Sequence, residues 1–267
     1  MTLKTSDKKE LCHYRCLTRY LLLESLIPTP IPEEIKDKLE DMIKPAYFEI
    51  DVAQSLSVYL FYDEFQKILG ERAEMFDSLE IECAQFLLSR CARLCDEHEL
   101  SHFNFLLVAA FLREAVFHFF LEYKCYRILY IGEFCFDVLY NRLFWKVFES
   151  RKVYEKLELF CQEFSKHFTA DTTQVEFRNS IFGKYCIHFF EERLNDFNDS
   201  FSLTESEVEL FEKFYSMKSN VKHEERLLLR ETENAQDAYF DAREFYPSDC
   251  ETCGSKCFDY LNYVNSW

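Results

Sequence analysis

The stretch HFNFLLVAAFLREAVFHFFLEY, residues 102–123, decides the fold of this chain. It is apolar almost all the way round a helix. The next stretch, CYRILYIGEFCFDVLYNRLFWKVF at residues 125–148, has the same character. A helix that is apolar on every face is covered by other helices or by lipid. We predict that these two segments form the centre of an all-α bundle or solenoid.

A membrane-spanning helix is the alternative for the first segment. Residues 103–121 are long enough to cross a bilayer. However, Arg113, Glu114 and His118 lie inside this stretch, and a charge at the bilayer centre costs about 3 kcal/mol or more. The interpretation as a core helix is therefore preferred, and a membrane is not expected among the partners.

Helical spacing of apolar residues continues outward on both sides. It predicts a helix over residues 8–26, ended by the three prolines of residues 27–32, and another that Asp51 caps and Gly70 ends. Residues 175–197 read as one further helix. Ser202 with Glu205 forms a capping-box pattern before the next. Few glycines and prolines, 4 and 5 in 267 residues, also favour long helices.

The prediction for the whole chain is an irregular multi-helix bundle or solenoid-like domain of about nine to ten helices. This all-α domain covers residues 1–230. Residues 231–267 form an acidic, aromatic, cysteine-containing segment that we expect to pack on the body or on a partner. No fixed repeat period is present, so a regular solenoid is not indicated.

The charge balance bears on partners and on the compartment. Acidic residues outnumber basic ones 48 to 31, a net charge of −17, which argues against a nucleic-acid partner because phosphates need a positive face. The N-terminal sequence lacks the apolar stretch of a secretory signal, so cytoplasm or nucleus is expected. In that setting the 12 cysteines are interpreted mainly as reduced thiols in the core.

The sharpest motif is HELSH, residues 98–102. On a helix, His98 and His102 share one face and could bind one zinc ion, whose water Glu99 could activate. Over these five residues the stretch resembles the zincin metallopeptidases. In the glutamate-ligand branch of that family a later residue supplies the third ligand, and Glu122 is the first candidate here, with Glu114 second.

HELSH can also be a polar loop between two helices. Ser101 is a plausible N-cap for the long apolar helix, which would start a helix between the two histidines. Just upstream, Cys91 and Cys95 extend the pattern into a stripe with His98 and His102. This stripe spans about 16 Å of helix, too far for one tetrahedral ion. We expect the two cysteines to face the core.

A second candidate metal site lies at the C-terminus. CETCGSKC places Cys250, Cys253 and Cys257 at a spacing that suits three thiolate ligands of a structural zinc. The segment CHYRC near the N-terminus offers a fourth ligand from Cys12, His13 or Cys16. A cluster of reduced cysteines or a local disulfide is the alternative.

The remaining signals narrow the function. The isolated glycines form no phosphate-binding loop, dinucleotide fingerprint or nucleophile elbow. His118 and His188 lie in apolar helices and are interpreted as core residues, and Cys186 and His188 should point to different faces. The preferred hypothesis is a non-enzymatic interaction or scaffold module that binds a protein partner. The alternatives are a zinc-dependent hydrolase using HELSH and a helical domain that binds a small apolar ligand.

Overall fold

The computed structural model describes residues 5–29, 36–37, 40, 47–70, 80–95, 102–168, 172–194 and 201–216. It is 83% helical, and the described residues contain no strand, which confirms the all-α prediction. These residues form ten α-helices: α1 Thr5–Glu24, α2 Tyr47–Gln54, α3 Tyr62–Gly70, α4 Glu80–Leu94, α5 His102–Tyr123, α6 Arg127–Arg142, α7 Arg151–Ser165, α8 Gln174–Asn179, α9 Ile181–Leu194 and α10 Glu205–Phe214. A π-helix, Ser55–Leu60, joins α2 to α3, and a 3₁₀ turn, Phe144–Lys146, follows α6.

Helix α5 is the central element of the fold. It packs against α1, α2, the π-helix, α3, α4 and α6. Every side chain from Phe103 to Val116 is buried, including the charged Arg113 and Glu114. The sequence-based prediction of a core helix in the middle of a bundle is confirmed for this segment.

By length and composition, α5 is also the one described helix that could cross a membrane. In this structure 83% of its most apolar window is buried inside the protein. Packing against the surrounding helices therefore accounts for the apolar composition of α5.

Helices α1 and α6 are held together by two ion pairs. Arg15 pairs with Asp137 at 3.0 Å, and Arg19 pairs with Glu133 at 2.5 Å. Two residues four positions apart on α1 thus contact two residues four positions apart on α6. The numbering runs in opposite directions along the two helices, which makes them antiparallel. The Tyr215 hydroxyl, just beyond α10, also donates to Asp137 and fastens the last described helix to this pair.

Aromatic rings fill the space between the helices. Tyr14 lies 4.7 Å from Tyr140 and 4.8 Å from Phe148, measured between ring centroids, and its hydroxyl donates to the Phe136 carbonyl at 2.8 Å. Edge-to-face and offset contacts of this kind add to the free energy of burial. The hypothesis of a small apolar ligand in the core stays a prediction.

Two predicted helix starts are wrong by a few residues. Helix α2 begins at Tyr47, so Asp51 lies inside it and does not cap it; its carboxylate accepts from the Ser165 hydroxyl of α7 at 3.1 Å. Helix α10 has Thr204 as its N-cap and Glu207 as the reciprocal partner, in place of Ser202 and Glu205. Glu207 also pairs with Arg142 of α6, and this tertiary contact favours the cap at Thr204.

Candidate functional site

Most residues of the two predicted metal sites lie outside the described part of the chain. His102 is the first residue of α5, and Cys16 lies half-buried in α1. The structure does not describe the side chains of the other predicted ligands and of the candidate base: His98, Glu99, Cys250, Cys253, Cys257 and Cys12. Both zinc hypotheses stay predictions. Among the described residues, no group of three or more His, Cys, Asp or Glu side chains could hold a metal ion.

The third ligand proposed for the HELSH site needs correction. His102 and Glu122 both lie on α5, twenty residues apart, which separates them by about 30 Å along the axis. Glu114, the second candidate, is about 18 Å from His102 by the same rise per residue. A zinc ion binds its ligands at about 2 Å, so neither glutamate can share an ion with His102.

The described cysteines lie in the core or at its edge, and they are not joined in disulfides. Seven of them are buried and Cys16 is half-buried; none forms a disulfide. Burial raises the pKa of the Cys83 thiol to about 12 and raises that of Cys91 and Cys135 as well. These thiols are therefore protonated at neutral pH and behave as small apolar side chains. Cys91 and Cys95 face the core as expected.

The prediction that His118 and His188 are core residues is confirmed in part for the half-buried His118 and is wrong for His188. His188 is exposed on α9, where it pairs with Glu192 at 3.3 Å, so it is not a core residue. Cys186, two positions earlier, is buried, and the two side chains do point to different faces. His118 is half-buried and contacts Gln66 at 2.9 Å.

A buried ion pair links α1, the π-helix and α5. The Arg113 guanidinium donates to both carboxylate oxygens of Glu24, through Nε and, at 3.1 Å, through Nη2. Its remaining Nη1 donates to the Ser57 hydroxyl at 2.8 Å. All three side chains are buried. Such a pair gives little net stability compared with apolar packing, but removing one partner leaves an uncompensated charge.

A chain of polar contacts runs from this core to the surface along α5. Glu114, which is 1% exposed, accepts from the Gln66 amide at 2.8 Å, and the Gln66 carbonyl oxygen contacts His118 Nδ1 at 2.9 Å. His118 Nε2 lies 3.7 Å from Glu122 at the surface. Burial raises the pKa of Glu114, opposed by Arg113 and Gln66, and burial lowers the pKa of His118, opposed by Glu122. The Gln66 side chain is oriented by these contacts: its amide nitrogen donates to the Glu114 carboxylate, and its carbonyl oxygen faces His118.

The π-helix is held at its C-terminal end by α8. Arg178 donates to the Leu60 carbonyl and pairs with Glu64 at 2.7 Å. Ser57 is held from the other side by Arg113. A π-helix lacks a local sequence signal and is often found at functional sites. Here it leaves Val58 exposed while Leu56 and Leu60 are buried.

The predicted helix of residues 175–197 is broken at Ser180, which adopts an extended conformation between α8 and α9. The Ser180 hydroxyl accepts from the Gly183 amide at 2.9 Å and so caps α9. A Cβ on Gly183 would lie 2.9 Å from the Phe177 carbonyl carbon and closer still to its oxygen. The break therefore depends on glycine at position 183.

The result of this break is an exposed apolar face on α8 and α9, which we call the α8–α9 face: Val175, Ile181 and Tyr185. Their side chains are 67%, 92% and 63% exposed. Ile181 and Tyr185 are four residues apart and so neighbour one another on the helix. The opposite side of α9 packs on the core, where Phe190 stacks on Phe61 with ring centroids 4.5 Å apart.

The α8–α9 face was not found from the sequence. An isoleucine in an apolar helix is usually predicted to be a core residue, and Ile181 is a surface residue because no element among the described residues covers it. The spacing Ser180-x-x-Gly183 was the available signal for the break, since serine caps helices and glycine permits a close backbone approach.

No protein-family model, curated protein or solved structure matches this chain.

Proposed function

We propose that this chain is a non-catalytic helical module that binds another protein through the α8–α9 face. The observation that carries the proposal is the 92% exposure of Ile181 beside the 63% exposure of Tyr185. Single exposed apolar residues are ordinary on protein surfaces, but adjacent large ones mark binding sites more often. Covering such side chains with a partner contributes about 25 cal/mol per Å² of apolar area.

The rigidity of the supporting helices favours binding at this face. The inner side of α9 is anchored by ring contacts of Phe190 with Phe61 and Phe65, and Phe189 contacts Phe103 of α5 at 5.1 Å. Arg178 fixes α8 to the π-helix and α3. A surface held in place before binding loses little conformational entropy when the partner arrives.

The test is quantitative co-purification of the tagged chain from the cells in which it occurs. We compare wild type with Ile181→Asp, and with Leu159→Asp as the matched control, because Leu159 is 58% exposed on α7. We expect proteins that co-purify with wild type to be lost with Ile181→Asp and kept with Leu159→Asp. If both variants retain the same proteins, the α8–α9 face is not the binding surface. Circular dichroism confirms that each variant is folded.

A further inference from the structure

The exposed side of α9 has the spacing of a coiled-coil seam. Ile181, Tyr185, His188 and Glu192 follow one another at intervals of four, three and four residues, and all four side chains are exposed. This is the spacing of the a and d positions through which one helix packs lengthwise against another; Ile181 and Tyr185 supply apolar side chains at these positions, and His188 and Glu192 supply polar ones. The pattern runs over most of the 14 residues of α9.

The residues beside this seam differ on the two sides. Lys184 and Glu191, seven residues apart, lie on one side and are exposed. Phe182 and Phe189, also seven apart, lie on the other side and are half-buried against the body. One edge of the helix thus carries a positive charge near its start and a negative charge near its end.

We infer that α9 pairs with α9 of a second copy of this chain, antiparallel about a two-fold axis. In an antiparallel pair of helices, residues on the same edge of the two seams face each other. With Tyr185 opposite the partner subunit's His188, Lys184 faces the partner subunit's Glu191. The symmetry repeats that ion pair, so each copy supplies one charge to each of two pairs.

The parallel alternative is disfavoured by charge. In a parallel, in-register pair each seam residue meets its own copy, which sets Glu192 against the partner's Glu192. The same arrangement places Lys184 beside the partner's Phe182 and the partner's Phe189, where it has no carboxylate to pair with. Like charges placed opposite each other in a contact destabilise it, whereas the antiparallel register brings opposite charges together.

The expected affinity is modest. Helix α9 is about 21 Å long by its rise per residue, so two such helices form an interface at the small end of the specific range. We therefore expect a dissociation constant on the order of 10 µM. The inference rests on the proposed function, because it names the partner of the same face.

Sedimentation equilibrium over about 1 to 200 µM chain tests the inference. We expect the weight-average mass of the full chain to rise from 32.2 kDa toward twice that value. Lys184→Glu and Glu191→Lys should each weaken self-association about tenfold, because each turns both ion pairs into repulsions. The double variant Lys184→Glu/Glu191→Lys should restore it. Lys156→Glu, an exposed reversal on α7, is the matched control and should leave it unchanged.

Mixing the two single variants gives a second readout. Lys184→Glu and Glu191→Lys chains should associate with each other more tightly than either does with itself, because both edge contacts of the mixed pair then join a glutamate to a lysine. A wild-type chain that stays at 32.2 kDa throughout overturns the inference. So does self-association that the single variants leave intact. In either case, proteins lost with Ile181→Asp on co-purification would still support the proposed function.

Discussion

The Phe177 carbonyl lies against the backbone of Gly183, so close that a Cβ at position 183 would be 2.9 Å from the carbonyl carbon and nearer to the oxygen. This approach closes the turn between α8 and α9. With the turn closed, Val175, Ile181 and Tyr185 are exposed, while Phe177 and Phe190 are buried.

Gly183→Ala should lower the free energy of unfolding by about 3 kcal/mol, since the overlap is with backbone atoms that cannot rotate away. Gly132→Ala is the comparison within the core and should cost less, because its Cβ would meet side-chain atoms only: the end of Leu22 at 2.9 Å and Val116 at 3.6 Å. Gly70→Ala, with nothing within 4 Å, should be neutral or slightly stabilising. Urea unfolding monitored by circular dichroism measures all three. Equal losses for the three variants would contradict the account of the α8–α9 turn.

Lys124→Gly should stabilise the protein by about 0.5 to 1 kcal/mol. Lys124 follows α5 with φ of 50°, in the left-handed region, where a side chain costs about 1 to 2 kcal/mol. Glycine removes this cost but loses part of the gain to its greater freedom in the unfolded chain. Lys124→Val should destabilise, because a β-branched side chain fits this region worst. Thermal unfolding of both variants is the measurement, and a lower melting temperature for Lys124→Gly would refute the expectation.

Breaking the Arg113–Glu24 pair on one side should cost more than removing both charges. Arg113→Met leaves Glu24 buried without its partner, and we expect a loss of about 3 to 5 kcal/mol. Glu24→Gln/Arg113→Met should be less damaging than Arg113→Met, since it removes both buried charges of the pair. A double-mutant cycle in urea measures the coupling. Additive losses from the two sites would show that the carboxylate and the guanidinium do not act as a pair.

The buried Glu114 carboxyl should make stability depend on pH. Its folded pKa is raised above the ordinary value of 4.5, chiefly by burial, so its contribution is fully present below pH 4.5 and is lost as the pH rises through the folded pKa. Glu114→Gln keeps an acceptor for Gln66 but carries no charge. The free energy of unfolding of Glu114→Gln, relative to wild type, should therefore increase as the pH rises above 4.5. A difference that is constant over pH 4 to 8 would rule out a raised pKa.

Glu122→Gln should leave the zinc content of the chain unchanged. The separation of about 30 Å along α5 prevents Glu122 from sharing an ion with His102. Metal content by mass spectrometry, on protein purified without chelator, measures this. His98→Ala/His102→Ala and Cys250→Ser/Cys253→Ser are the reference variants, because they remove the predicted ligands of the two sites. Loss of zinc in Glu122→Gln alone would restore Glu122 as a ligand.

The central helix could be predicted because its signal is local and strong. Residues 102–123 are apolar on every face, and a buried position is the arrangement that suits such a helix in a bundle. The buried position of α6 follows from the same logic, because residues 125–148 have the same apolar character. The helix bounds were less certain, since Ser202 and Thr204 both fit a capping box, and only the contact of Glu207 with Arg142 distinguishes them.

The candidate site could not be predicted, because it depends on contacts between residues that are far apart in the sequence. The π-helix is held by Arg113 and Arg178, which are distant in the chain from Ser57 and Leu60. Ile181 is exposed because no element in the described part of the chain packs over it. Glu122, by contrast, could have been excluded as a ligand from the sequence, because the predicted helix already separated it from His102 by about 30 Å.

The α8–α9 face, in the function proposed above, binds a second copy of this chain. The most direct measurement is photo-crosslinking with a benzophenone side chain at position 185, in a mixture of isotope-labelled and unlabelled full chains. A probe at position 159 is the control. We expect a covalent dimer that joins labelled to unlabelled chain at residues 181–192. A probe at position 185 that captures no more protein than the probe at position 159 would contradict the claim.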